Sequence, residues 1–167
     1  MTSDMMSPRQ ARKSGGLLAA GILVADQVTK SIAHASLFEN PQIIEVTGFF
    51  NLVPVWNHGV SFGMFADGSE MTRWLLTGFA AIVSIALIIW MLRGGSRFLV
   101  FSLALIIGGA IGNIIDRLWY GAVIDFVDLH VLGYHWPAFN LADSVICIGV
   151  VMLIIDNFRA PRHHDQT

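Results

Sequence analysis

The chain has 167 residues, of which 54% are hydrophobic and 13% are charged, whereas roughly 25% of residues are charged in soluble domains. This composition excludes an ordinary soluble enzyme, and the net charge of -2 gives no sign of a nucleic-acid partner. We therefore expect a single membrane domain over residues 1–167. Cys147 is the single cysteine, so no internal disulfide can form, and its apolar surroundings predict a small buried side chain.

Four apolar runs predict four membrane-spanning helices, because a helix needs about 18 or more apolar residues to cross a bilayer. The predicted spans are 15–35, 74–92, 98–117 and 139–156, joined by outer connections at 36–73 and 118–138 and followed by a tail at 157–167. The first run contains Asp26 and Lys30, whose i,i+4 spacing lets them pair on one helix face. Basic residues precede this run as in a signal peptide, but its two internal charges favour an uncleaved first helix.

The distribution of lysine and arginine predicts the orientation, because short cytoplasmic flanks collect positive charge. Seven of the ten basic residues lie before the first span, in the turn MLRGGSRF or after the fourth span: Arg9, Arg12, Lys13, Arg93, Arg97, Arg159 and Arg162. Both termini are therefore predicted to be cytoplasmic, and MLRGGSRF is predicted to be a plain turn. Six acidic residues fall in the outer connections: Glu39, Glu45, Asp67, Glu70, Asp125 and Asp128.

Both outer connections carry strand signals. The segment Gln42–Phe65 is rich in β-branched and aromatic residues and is interrupted by glycine and proline, which predicts two or more short strands lying on the membrane. The second connection opens with the strand-like GAVIDFVDLH. Phe49, Phe50 and Trp56 either anchor this region at the interface or line a groove for an apolar substrate. An aromatic belt is expected from Trp119, Tyr120, Tyr134 and Trp136.

The third run ends in GNIIDR, which places Asn113, Asp116 and Arg117 on about one face of a helix end. An interfacial ion pair explains this pattern without any chemistry. Three glycines in the same run allow close packing against a neighbouring helix: Gly108, Gly109 and Gly112.

The fourth run begins PAFNLAD and reaches spanning length only by including Asp143. Asn140 and Asp143 have the spacing of an N-cap residue and the third helical residue, so helix capping alone explains them. A carboxylate at membrane depth is nevertheless a functional hypothesis. The predicted topology gathers four carboxylates at one level, more than capping needs: Asp116, Asp125, Asp128 and Asp143.

Two nearby carboxylates that share one proton can act as the acid and base of an aspartic peptidase. A metal site is a competing interpretation, built from Asp125, Asp128, His130, His135 and Asp143, but no HExxH or paired-cysteine pattern supports it. Motifs of a serine nucleophile are absent from the sequence. A small transporter or proton relay and a non-enzymatic assembly factor also fit the intramembrane Asp, Asn and Lys residues.

Five motifs closely resemble those of the bacterial lipoprotein signal peptidases, also called signal peptidase II. They are DQVTK at 26–30, NHGVSFG at 57–63, GGAIGNIIDR at 108–117, GAVIDF at 121–126 and PAFNLADS at 137–144. The resemblance implies an aspartic endopeptidase of the bacterial cytoplasmic membrane. Such an enzyme removes the signal peptide from diacylglyceryl-modified prolipoproteins, just before the lipidated cysteine.

The resemblance also implies a mainly α membrane protein with four transmembrane helices and a small β-rich cradle on the outer, periplasmic side. The catalytic aspartates of the family match Asp125 and Asp143. Supporting or substrate-binding positions match Asp26, Lys30, Asn57, Gly59, Asn113, Asp116, Arg117, Asn140 and Ala142. We expect no metal or other cofactor and a monomer among membrane lipids. The resemblance assigns no role to Asp128, His130 or His135.

Overall fold

The computed structural model describes residues 5–59 and 69–159. Asp67, the end of the motif at 57–63 and most of the predicted tail at 157–167 lie outside these residues. Within them, four helices are long and apolar enough to cross a membrane, which confirms the predicted four-helix membrane fold. The helices are α1 (Pro8–Ala33, continued by a π-helix over His34–Phe38), α2 (Glu70–Leu92), α3 (Arg97–Trp119) and α4 (Leu141–Arg159).

The first helix begins seven residues earlier than its apolar run predicts. Ser7 is the N-cap, and its side chain and that of Gln10 form a reciprocal capping box, while Pro8 occupies the first turn. These three residues specify a helix start regardless of hydrophobicity, so the basic residues expected to precede the span are in fact helical.

The third helix packs against each of the other three helices. Glycine makes this close approach feasible: a Cβ on Gly108 would lie 2.7 Å from the backbone oxygen of Ala19 in α1, and one on Gly109 would lie 2.6 Å from that of Ala142 in α4. The predicted close packing of this helix is therefore confirmed.

A four-stranded antiparallel sheet lies where α1 and α3 end and α2 and α4 begin, which we call the sheet end of the bundle. Its order is β2-β3-β5-β6, with strands β2 (Ile44–Thr47), β3 (Phe50–Asn57), β5 (Val123–Val131) and β6 (Tyr134–His135). Strands were predicted in both connections, and both predictions are confirmed. Proximity of the two connections to each other did not follow from the strand signals alone.

The pairing of β3 with β5 is irregular near its middle. Leu52 pairs with Val127 and Val55 pairs with Asp125, so four residues of β3 face three of β5. The backbone N–H groups of Phe126 and Val127 both donate to the carbonyl oxygen of Phe139, at 3.2 and 2.9 Å. The extra residue of this bulge lies on β3, and such an insertion locally disturbs the alternation of side chains.

At the opposite end of the bundle, the predicted plain turn is part of a second small sheet. Strands β1 (Met5–Met6) and β4 (Gly95–Ser96) pair antiparallel there. Gly94 has φ +81°, and a Cβ at this position would lie 2.6 Å from the carbonyl oxygen of Met6. The glycines of this turn therefore serve strand pairing as well as chain reversal.

The prediction that Cys147 is buried is wrong, because its side chain is exposed on α4. Nearby α4 side chains such as Ile148 and Val151 are more than half exposed as well. In a membrane protein an apolar run covers both the lipid-facing and the inward faces of a helix, so it does not indicate which side chains are buried.

Gly109→Ala should destabilise the protein by about 1–3 kcal/mol, because the added methyl group meets backbone that cannot move aside. Thermal unfolding in detergent measures this effect. Gly78→Ala on α2 is the matched control: a Cβ there meets nothing within 4 Å, and removing glycine from a helix should be neutral or stabilising by about 0.5–1 kcal/mol. Equal unfolding temperatures for the two variants would contradict the packing described above.

Candidate active site

A buried cluster of charges joins α1 to α3. The Nζ atom of Lys30 lies 2.8 Å from carboxylate oxygens of both Asp26 and Asp116, and it donates to Oδ1 of Asn113, also at 2.8 Å. All three donors of the amine are therefore used. The predicted pairing of Asp26 with Lys30 is confirmed, whereas the simple ion pair between Asp116 and Arg117 is wrong, because Asp116 instead binds Lys30 across the bundle.

The two carboxylates of this cluster also hold backbone from other elements. Asp26 accepts from the backbone N–H of Ala142 in the first turn of α4, at 3.0 Å. Asp116 accepts from the N–H of Ile124 in β5, at 3.3 Å. The cluster thus fixes both the start of α4 and the strand segment beside Asp125.

Gln27 belongs to the same cluster and was missed in the sequence. Its Nε2 atom donates to Oδ2 of Asp26 at 3.3 Å and to Oδ1 of Asp116 at 3.1 Å. The available signal was an amide next to a charged residue inside an apolar run, since a polar side chain there needs a partner within the bundle.

Asn140 connects the two candidate catalytic residues. Its Oδ1 accepts from the backbone N–H of Asp143 at 3.0 Å, and Oδ2 of Asp143 accepts from the backbone N–H of Asn140 at 3.3 Å, so the predicted helix cap is confirmed. The Nδ2 group of the same side chain donates to Oδ1 of Asp125 at 2.7 Å. Capping and site building are therefore two roles of one residue, and they do not exclude each other.

Asp125 also accepts a hydrogen bond from a second amide. The Nδ2 group of Asn57 donates to Oδ2 of Asp125 at 2.9 Å, and the Oδ1 of Asn57 accepts from the backbone N–H of Gly59 at 3.0 Å. The bond from Gly59 fixes which end of the amide points at the carboxylate.

Asp143 also accepts a hydrogen bond from an amide whose orientation is fixed by another group. The Nδ2 group of Asn113 donates to Oδ1 of Asp143 at 2.9 Å. Lys30 occupies the Oδ1 of Asn113, which leaves only the amine end of that amide for the carboxylate. Three asparagines thus present donors to the two aspartates. Lys30 orients Asn113, the N–H of Gly59 orients Asn57, and the backbone N–H of Asp143 orients Asn140.

Burial and a neighbouring charge act on the carboxyl group of Asp125. Burial, together with the negative charge of Asp143, raises the pKa of Asp125 to about 7, while hydrogen bonds from Asn57 and Asn140 oppose the rise. Asp125 is 1% exposed. A carboxyl group with this pKa holds a proton through the acidic range and exchanges it near neutrality, as an acid or base of catalysis must.

Arg117 supplies positive charge at the same place. It interacts electrostatically with Asp143, Asp125 and Asp116, and its guanidinium donates to the carbonyl oxygen of Gly59 at 3.0 Å. In the part of the chain that the structure describes, the Nε atom of Arg117 is buried without a hydrogen-bond partner.

Asp128 does not join this network, although the sequence placed four carboxylates together. It accepts from Nδ2 of Asn51 at 2.9 Å and lies 2.9 Å from Nδ1 of His135. In residues 5–59 and 69–159, no group of three or more His, Cys, Asp or Glu side chains is arranged to hold a metal ion. Asp128 therefore belongs to a hydrogen-bond network separate from that of Asp125 and Asp143.

Trp56 packs in a cluster of rings at the sheet end. Its ring centroid lies 4.8 Å from that of Phe38 and 5.5 Å from that of Tyr120, and His34 contacts all three. Phe49 lies apart and is 61% exposed. The cluster ties the π-helix to β3 next to Asn57, a contact that the sequence did not indicate.

Comparison with known proteins gives one consistent family. The family model described as signal peptidase (SPase) II matches residues 18–159. The lipoprotein signal peptidase of Ralstonia nicotianae is 46% identical over 160 residues, covering 90% of this chain and 91% of that protein. The lipoprotein signal peptidase of a Methylobacterium species is 49% identical over 140 residues, covering 83% of this chain and 84% of that protein. A solved bacterial membrane enzyme has a TM-score of 0.78 at 30% identity, with 93% of each chain covered.

Lys30→Met should destabilise the protein by about 3–5 kcal/mol, because it leaves Asp26 and Asp116 buried without a cation. Thermal unfolding in detergent gives the measurement. Lys13→Met, at an exposed position on the same helix, is the control and should stay within about 0.5 kcal/mol of the parent. A Lys30→Met variant as stable as this control would mean that the cluster does not hold the bundle together.

Proposed function

The chain belongs to the signal peptidase II family, a group of multi-pass membrane peptidases that act on lipoprotein signal peptides, and we propose that it does so as an aspartic endopeptidase. The proposed catalytic pair is Asp125 and Asp143. The observation that carries the assignment is that Asn140 hydrogen-bonds to both residues. The pKa of about 7 at the buried Asp125 supports it. Water held between two such carboxylates can be activated for attack on a peptide carbonyl.

In this proposal Asp143 is the base and Asp125 is the acid. Asp143 lies in the first turn of α4, where the free backbone N–H groups favour a negative charge. It also accepts two N–H donors and has Arg117 nearby. Asp125 is in a strand, without the help of a helix end, and holds its proton below about pH 7.

The reaction then follows from this assignment. Asp143 takes one proton from water as the water oxygen bonds to the scissile carbonyl carbon, and Asp125 gives its proton to the carbonyl oxygen. The resulting diol collapses when Asp143 returns its proton to the leaving nitrogen and Asp125 recovers the hydroxyl proton. Each carboxyl group ends as it began.

The proposed substrate is a prolipoprotein whose cysteine already carries diacylglycerol, cut just before that cysteine. The pair lies where α3 ends and α4 begins, so it stands at the edge of the membrane-spanning region. A diacylglyceryl group would hold the adjacent peptide bond at this depth. Basic residues at the opposite end of the bundle support cytoplasmic termini and a site at the outer face of the bacterial cytoplasmic membrane. Every group named in the site comes from one chain, so a monomer suffices.

Asp125→Asn and Asp143→Asn should each lower the rate of cleavage of a lipidated precursor by about 10²–10⁴-fold, since each removes one partner of the proton transfer. The measurement is cleavage in detergent by purified protein, with thermal unfolding showing that both variants fold. Wild-type protein should cut the lipidated precursor and leave the same peptide without diacylglycerol largely intact.

Asp156→Asn is a matched control on the helix that carries Asp143. Asp156 lies at the other end of α4, where it accepts a hydrogen bond from Ser96, and its replacement should leave cleavage within about twofold of the parent rate. Retained cleavage in both dyad variants would sink the catalytic assignment. Equal rates on lipidated and unlipidated precursors would count against the substrate alone.

The pH profile of kcat/KM should fall on its alkaline side near pH 7, because the acid form of Asp125 is complete below its pKa of about 7 and is lost above it. The hydrogen bond from Asn57 lowers the pKa of Asp125, so Asn57→Ala should move this limb to higher pH. The midpoint belongs to the coupled pair of carboxylates. An alkaline limb that stays in place in Asn57→Ala would show that another group controls it.

A further inference from the structure

A second polar cluster lies on the strand pair that carries Asn57 and Asp125, and it takes no part in the reaction proposed above. Asn51 and Asp128 are register partners on β3 and β5, and both are buried, at 8% and 5% exposure. Asp128 accepts hydrogen bonds from Nδ2 of Asn51 and from His135. The exposed ring of His135 covers one side of the pair.

The amide of Asn51 is fixed in one orientation by this carboxylate. Turning it over would place Oδ1 against the oxygens of Asp128, so Nδ2 must face Asp128 and Oδ1 must face away. Within the described residues, this Oδ1 is buried and accepts no hydrogen bond. Buried acceptors are nearly always paired in folded proteins, so this oxygen can accept a hydrogen bond from a group outside the chain, a water molecule included.

A groove of about 720 Å³ supplies the space for such a donor. Its lining includes Asn51, Asp128 and His135, flanked by β3 residues 53–55 and by residues 136–138 before α4. Both of these walls are formed by residues that neighbour the candidate active site along the strands or along the chain. On one wall Val55 is the register partner of Asp125, and the other wall ends two residues before Asn140.

We propose that this groove binds the polypeptide segment that follows the cleaved bond, and that Oδ1 of Asn51 accepts a hydrogen bond from one of its backbone N–H groups. This inference rests on the proposed function. The signal peptide is apolar and the cysteine is lipidated, so both remain in the membrane, whereas the segment after the cysteine runs into water. The groove lies on the sheet, outside the spanning helices. Asn51, Asp128 and His135 give it a polar patch, whereas most of the remaining lining is apolar. Asp128 is a positioning residue that aims Asn51.

Two lipidated precursors test this proposal. One ends at the cysteine, and the other continues for about five residues, enough to extend roughly 17 Å along the sheet. Wild-type protein should have a KM about tenfold lower for the long precursor, the effect expected of one added buried hydrogen bond. In Asn51→Ala and Asp128→Asn the two KM values should converge, while kcat on the long precursor stays within about twofold. Glu45→Gln, at the exposed register partner of Asn51 on β2, should keep the preference.

Replacing single backbone amides of the long precursor by esters identifies the donor without changing the protein. One position should raise the KM of the wild type about tenfold, and the same ester should have no such effect in Asn51→Ala. If Asn51→Ala fails to fold, the KM values of the ester precursors with the wild type are the test. Equal KM values for all ester positions would overturn the proposal. Cleavage of both precursors with equal KM also overturns it and leaves the peptidase intact. Cleavage of neither precursor contradicts the proposed function itself.

Discussion

The structure depends on one buried amine. Lys30 lies inside a membrane bundle, where an unpaired charge is costly, and its three donors reach Asp26, Asp116 and Asn113. Because these partners sit on α1 and α3, they set the approach of the two helices. The two carboxylates then hold the N–H of Ala142 and of Ile124. A single cation thereby determines the position of α4 and of the strand that carries Asp125.

The same amine also reaches the candidate active site through a chain of amides. By binding Oδ1 of Asn113 it turns the Nδ2 group toward Asp143, while Asn140 joins Asp143 to Asp125. Each amide has a donor end and an acceptor end, so fixing one end fixes the other. Lys30 and Gly59 thereby orient the amides of Asn113 and Asn57 without bonding to the two aspartates themselves. Such preorganisation holds the two carboxylates close together with their hydrogen-bond partners already in place.

Local sequence signals were enough for the features that depend on spacing. The helical spacing of Asp26 and Lys30 predicted their pairing, and the glycines at 108 and 109 predicted close packing. The family motifs, and not the spacing, selected Asp125 and Asp143 as the expected catalytic residues. Long-range partners could not be predicted: nothing near Asp116 in the chain indicates that it binds Lys30 of another helix. The exposure of Cys147 was missed for a related reason, since lipid and protein interior select the same apolar residues.

The irregular pairing of β3 with β5 lies between the two functional regions of the sheet. Four residues of β3 face three of β5 there, so the extra residue is on β3. The N–H groups of Phe126 and Val127 share the carbonyl oxygen of Phe139 at the same place. Bulges recur beside active sites because they re-aim a side chain without disrupting the remaining ladder. Here the bulge lies between Asp125 and Asp128, and the two residues belong to separate hydrogen-bond networks, one through Asn140 and one through Asn51.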